Sequence, residues 1–131
     1  MQVQRVNNNS FCTGFGAGII SLKRVEAKDL LNYNAIKKIA ETDKLDIKIT
    51  KEKETKYLPT NDCYIIFALK DIPKSPFLAH GVGCAVVDKH AHAQEVSNKI
   101  YNAVIHSVKN LANNVKKHTG IKPEFLKYLN D

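Results

Sequence analysis

Between His80 and Glu95 the chain gathers its densest set of side chains able to bind a metal or move a proton: His80, Cys84, Asp88, His90, His92 and Glu95. His90-Ala91-His92 is a His-x-His pair. On an extended backbone, residues i and i+2 point to the same side, and several metal sites begin that way. Glu95 would add a carboxylate about one helical turn further on. A metal reading therefore rests on His90, His92 and Glu95. It needs an extended backbone, and a helical pattern begins at about these residues. In a helix, i and i+2 do not face each other. The sequence favours the simpler reading, two exposed first-turn histidines beside Lys89.

Asp88 with His90 or His92 would make an acid–base pair, because imidazole titrates near neutrality. No nucleophile accompanies it. Ser97 and Ser107 fall in a helical pattern. Cys63 and Cys84 fall in apolar strands, where a thiol is usually inert core. The sequence leans away from an enzyme and calls for no cofactor. Gly14-Phe15-Gly16-Ala17-Gly18 has the composition of a phosphate-cradling loop but the wrong context. It follows a polar, Asn-rich tail and opens a strand rather than a helix, and no Gly-Lys-Ser/Thr follows. A flexible lead-in to the first strand is expected there.

The elements that would position these groups read as β-α-β-(β)-β-β-α-α. Ile19 to Val25 is the first strand. Ala27 to Thr42 is a helix whose stripe is Tyr33, Ile36, Ile39 and Ala40, with a late start if Asn34 is its cap. Leu45 to Thr50 alternates Leu45, Ile47 and Ile49 against Asp46, Lys48 and Thr50, the mark of a strand with one wet face. Tyr57-Leu58-Pro59 is a short edge segment. Cys63 to Leu69 is apolar on both faces and belongs near the sheet centre. Val82 to Val87 is another apolar strand, with Gly81 and Gly83 permitting a bend or close packing.

A long helix runs from about Lys89 to Lys117, with Val96, Ile100, Ala103, Val104, Val108, Leu111 and Val115 at the 3.6-residue period. Asp88 is its expected N-cap, and Gly120 marks its end. Tyr101, Ile105 and Ala112 widen the stripe to roughly half the circumference, enough to contact a sheet and something else. Pro123 to Leu129 reads as a final short helix. The expected fold is α+β: a mainly antiparallel sheet of four to five strands, one long C-terminal helix, and a shorter helix packed on it. Residues 1–13 read as a flexible segment and 14–131 as a single domain.

The long helix is polar and basic on its other side. Lys99, Lys109, Lys116 and Lys117 are the residues that would meet phosphates. A basic helix across a sheet resembles the topology of double-stranded RNA-binding domains, which also have three strands and a final helix. That resemblance implies nucleic-acid binding. In place of the lysine cluster which that family carries at the start of this helix stands Lys89-His90-Ala91-His92-Ala93, and the first strand is additional. Aromatics outside expected core positions, available to stack on bases, are Phe11, Phe15, Tyr57 and Tyr64.

Charge and composition bound the rest. The chain has 131 residues and a net charge of +7. Of its 20 basic residues only Arg5 and Arg24 are arginine. Lysine is a hydrated point charge without the bidentate fork that favours phosphate and guanine, so the charge is a weaker nucleic-acid signal than its size implies. Three cysteines with no Cys-x-x-Cys argue against a disulfide framework and fit a reducing compartment. No secretory pattern and no apolar run long enough to span a membrane is present, so a cytoplasmic location away from membranes is expected. The wide apolar stripe points to a non-catalytic binding domain that acts through a protein partner or a homo-oligomer. Nucleic-acid binding by the lysine face is the first alternative, and a metal site or metal-dependent enzyme around His90 and His92 the second.

Overall fold

The computed structural model describes residues 18–53, 59–71 and 78–120. Strand β1 (Ile20–Lys23) leads into a 3-10 turn (Ala27–Asp29) and helix α1 (Tyr33–Asp43). Strands β2 (Asp46–Lys51), β3 (Asn61–Asp71) and β4 (Leu78–Asp88) follow, and then helix α2 (Ala93–Thr119). The four strands form one sheet in the order β1-β2-β3-β4. The α+β class, the long C-terminal helix and the shorter helix stand as the sequence implies. The pairing of β1 differs: it runs parallel to β2, with Ile20 opposite Ile47. A helix lies between these two strands, and a parallel pair needs such a crossover. The pairs β2–β3 and β3–β4 are antiparallel. Tyr57-Leu58, the segment Pro123 to Leu129, residues 1–13 and most of the glycine run lie outside the described residues.

Local chemistry moves both helix starts. Glu26 and Asp29 form a reciprocal capping box, which closes the 3-10 turn and delays α1 until after Asn32. The Asp88 carboxylate accepts from the His90 backbone N–H at 2.8 Å. It therefore turns the chain ahead of α2, and His92, in an extended conformation, takes the N-cap position. Gly120 ends α2 with φ of 74°, the left-handed conformation the sequence signal implies.

Both helices pack on one face of the sheet. Ile36 and Ala40 of α1 and Ile100, Val104, Val108 and Leu111 of α2 share a core with Ile47, Ile49, Tyr64 and Ile66. The helices meet where the Asn32 backbone N–H donates to the buried Ser97 hydroxyl at 3.1 Å. Helix α2 lies directly on β4. A Cβ at Gly81 would collide with the Ser107 carbonyl oxygen and the Leu111 nitrogen, and one at Gly83 with the Ala103 carbonyl oxygen. The two glycines thus let helix backbone rest on strand backbone.

That seat also covers part of an exposed edge. Strand β4 is the last in the sheet, so its outer backbone groups lack a neighbouring strand. The side-chain amides of Asn110 and Asn114 reach over from α2 and donate to the carbonyls of Val82 (2.8 Å) and His80 (2.6 Å). Among the described residues no helix is long and apolar enough to cross a membrane.

Candidate functional site

The helix-free face of the sheet is divided in chemistry. On β1 and β2 its outward residues are Ser21, Lys23, Lys48 and Thr50. On β3 and β4 the ladder sets Cys63 beside Val86, Ile65 beside Cys84 and Phe67 beside Val82. Phe67, Val82 and Val86 are 38%, 40% and 42% exposed. With Ile65 and Cys63 they form an apolar stripe about 15–20 Å long, at ~3.3 Å per residue. The strand that reads as apolar on both faces is central in the sheet, but only its Tyr64, Ile66 and Ala68 side is buried by the core. Tyr64, expected among the accessible aromatics, is 1% exposed, and Phe67 takes the open position instead.

The same parity corrects the thiols. Cys63 and Cys84 are not core residues; Cys63 is half-buried and Cys84 exposed, and both are free. They lie on the open face on a cross-strand diagonal, with their sulfurs 3.7 Å apart. Partial burial, with the Cys84 contact and the Glu52 charge behind it, pushes the Cys63 thiol up to about 11.

A small polar pocket sits at the end of the sheet beside the start of α2, lined by Lys28, Asp29, Lys51, Asp62, Tyr64, Asp88 and Lys89. Its charges are engaged with one another. Lys51 pairs with Asp62 at 3.5 Å and lies over the Tyr64 ring at 5.9 Å. Buried Asp29 accepts from the Tyr64 hydroxyl and from the Glu26 backbone N–H. Lys28 faces Glu26 at 3.9 Å. This network holds the sheet end and the 3-10 turn together. The Glu26-x-x-Asp29 capping spacing was its one mark in the sequence, because the other members come from three further segments.

Burial, reinforced by the negative charges of Asp29 and Asp62, lifts the Tyr64 phenol far above its ordinary range. The folded protein therefore keeps this proton at pH values where the unfolded chain has lost it. Below the ordinary phenol value of about 10 the contribution of Tyr64 is fully present and independent of pH; it is lost as pH rises beyond that value. Cys63, raised in the same sense, adds to the loss from about pH 9 upward. In urea unfolding at stepped pH, Tyr64→Phe is expected to show a shallower alkaline decline than the wild type. At about pH 7 it should start about 1–2 kcal/mol less stable, since buried Asp29 loses a hydroxyl donor. Equal alkaline slopes for the two proteins would contradict this assignment.

The metal and phosphate candidates of the sequence are accessible. His90, His92 and Glu95 are exposed around the start of α2. Among the described residues no three His, Cys, Asp or Glu side chains come together in a group able to hold a metal ion. Lys99, Lys109, Lys116 and Lys117 are exposed and fall within an arc of about 100° on α2, at 3.6 residues per turn. They make no ion pair among the described residues. Comparison with known protein families, with curated proteins and with solved structures finds no match to this chain.

Proposed function

We propose that this protein is a small non-catalytic binding domain that associates through the apolar stripe of its open sheet face, in the first place with a second copy of itself. One observation supports this most strongly. A sheet face that meets only water carries polar residues at its outward positions. Strands β1 and β2 follow that rule, whereas β3 and β4 expose Phe67 and Val82 side by side and Val86 further along the same stripe. From Cys63 to Phe67 and from Val82 to Val86 the stripe has no charged member, so a second copy meets no like charge within it. A different protein with an apolar surface is the other occupant this reading admits. The free thiols suit a reducing compartment, and the cytoplasm is the proposed location.

Salt separates this from nucleic-acid binding, the second reading, which is favoured by the exposure of Lys99, Lys109, Lys116 and Lys117 on one arc of α2. Two copies of a chain with net charge +7 repel each other, and added salt screens that repulsion. Self-association through the stripe should therefore tighten with salt, while duplex or single-strand binding by the lysines should weaken steeply. Sedimentation velocity and a labelled-oligonucleotide titration, each run across the same salt series, test the two readings. Oligonucleotide binding with a steep salt slope and no self-association would overturn the first in favour of the second.

A further inference from the structure

We propose that Cys63 and Cys84 form a cross-strand dithiol that small anionic disulfides, of the class of oxidised glutathione, convert to an intramolecular disulfide. The two sulfurs are already in van der Waals contact. The two residues sit on adjacent antiparallel strands, on the same face, with sulfurs 3.7 Å apart. The sulfurs must close to about 2.04 Å, which takes a side-chain rotation and a small shift of one strand. Strand β4 carries the exposed partner, Cys84. It is an edge strand, and beside Cys84 its outer side opens onto a shallow cleft lined by Lys99, Asn102 and His106. Lys99 in that cleft also explains the class of oxidant: a carboxylate-bearing disulfide is drawn to a lysine next to the exposed thiol.

The exchange balances in two steps. Cys84, the exposed thiol, loses its proton, and its sulfur attacks one sulfur of the oxidant. The oxidant S–S bond breaks, and the departing thiolate takes up a proton. Cys63 then gives up its proton and attacks the Cys84 sulfur of the mixed disulfide. The second small thiol leaves with that proton. Two protein thiols are oxidised by two electrons, and one small disulfide is reduced to two thiols. The half-burial of Cys63 keeps the glutathione-sized molecule off its sulfur, so the first attack falls to Cys84. This inference does not depend on the stripe serving as an interface, and the test is run dilute, where association is minimal.

The test uses the full chain with Cys12→Ser, which leaves Cys63 and Cys84 as its only thiols. After incubation with oxidised glutathione and quenching with iodoacetamide, the intact monomer should be about 2 Da lighter than the reduced chain and carry no adduct. A peptide joining the segments around Cys63 and Cys84 should appear, and Tm should rise by several degrees, reversed by dithiothreitol. With Cys63→Ser added, the reaction should stop at one retained glutathione on Cys84. Retained glutathione on the two-thiol protein, two alkylated thiols, or a covalent dimer would each overturn the proposal.

Discussion

Replacing Gly83 with alanine is expected to destabilise the protein by about 3 kcal/mol or more, read as a Tm lower by about 10 °C or more. The reason is backbone against backbone. A methyl group at Gly83 runs into the Ala103 carbonyl oxygen, with the Ala103 carbonyl carbon at 3.0 Å and the Ser107 Cβ at 3.3 Å. None of these is the free end of a flexible side chain, so relief requires lifting α2 off β4. Lifting it separates Ile100, Val104, Val108 and Leu111 from the sheet, the larger part of the helix's contribution to the core. Gly81→Ala should do at least as much, since its methyl meets the Ser107 carbonyl and the Leu111 backbone together. Gly120→Ala is the control. Nothing lies within 4 Å of its Cβ position, so only the cost of a φ of 74° remains, about 1 kcal/mol. Thermal unfolding followed by circular dichroism checks all three. A wild-type Tm for Gly83→Ala would mean that α2 does not sit on the β4 backbone.

The second large effect is on association. Phe67→Lys places an ammonium at one end of the stripe, between Val82 on one side and Lys48 on the other. In the free chain the new charge is solvated, because position 67 is already 38% exposed, and the fold should lose no more than about 1 kcal/mol. In a face-to-face pair the two-fold would bring the ammonium against an apolar surface or its own copy, and a charge desolvated without a partner costs several kcal/mol. Two to three kcal/mol already shifts a dissociation constant by about thirty- to two-hundred-fold. The variant should thus be a folded monomer at concentrations where the wild type associates. Phe67→Leu, which keeps the surface apolar, should retain association.

How much of this was legible in the sequence follows from which signals carry geometry by themselves. The helical period from Val96 to Val115 and the glycine at 120 locate α2 and its end without help from the fold. The alternation of Leu45, Ile47 and Ile49 gives β2 and the face it buries. The parallel start of the sheet was less visible, because direction depends on whether the chain between β1 and β2 returns to the end of the sheet where β1 began, and local periodicity is silent on that. The candidate surface was hidden for a related reason. A strand apolar at every position, such as Cys63 to Leu69, does not say which parity faces the helices. The glycines at 81 and 83 hold the answer, since only the face on which a helix rests needs them bare. Their pairing with Ala68 and Ile66 assigns Tyr64 to the core side and Phe67, Cys63 and Cys84 to the open side. The Asn110 and Asn114 caps are likewise invisible until β4 is known to be an edge. The acid–base and metal residues were chosen for chemical type, and at the start of a helix their types alone do not make them converge.

Sedimentation equilibrium of the wild type and Phe67→Lys, at low and high salt, tests the central claim most directly. A stripe this small fits the lower end of specific interfaces, so the wild type should be a reversible dimer with a Kd between about 1 µM and 1 mM, tightening as salt is added. Phe67→Lys should stay monomeric throughout. A wild type that remains monomeric to about 1 mM at high salt, or a Phe67→Lys protein that dimerises as well as the wild type, would contradict the claim that this face of the sheet is where the protein binds itself.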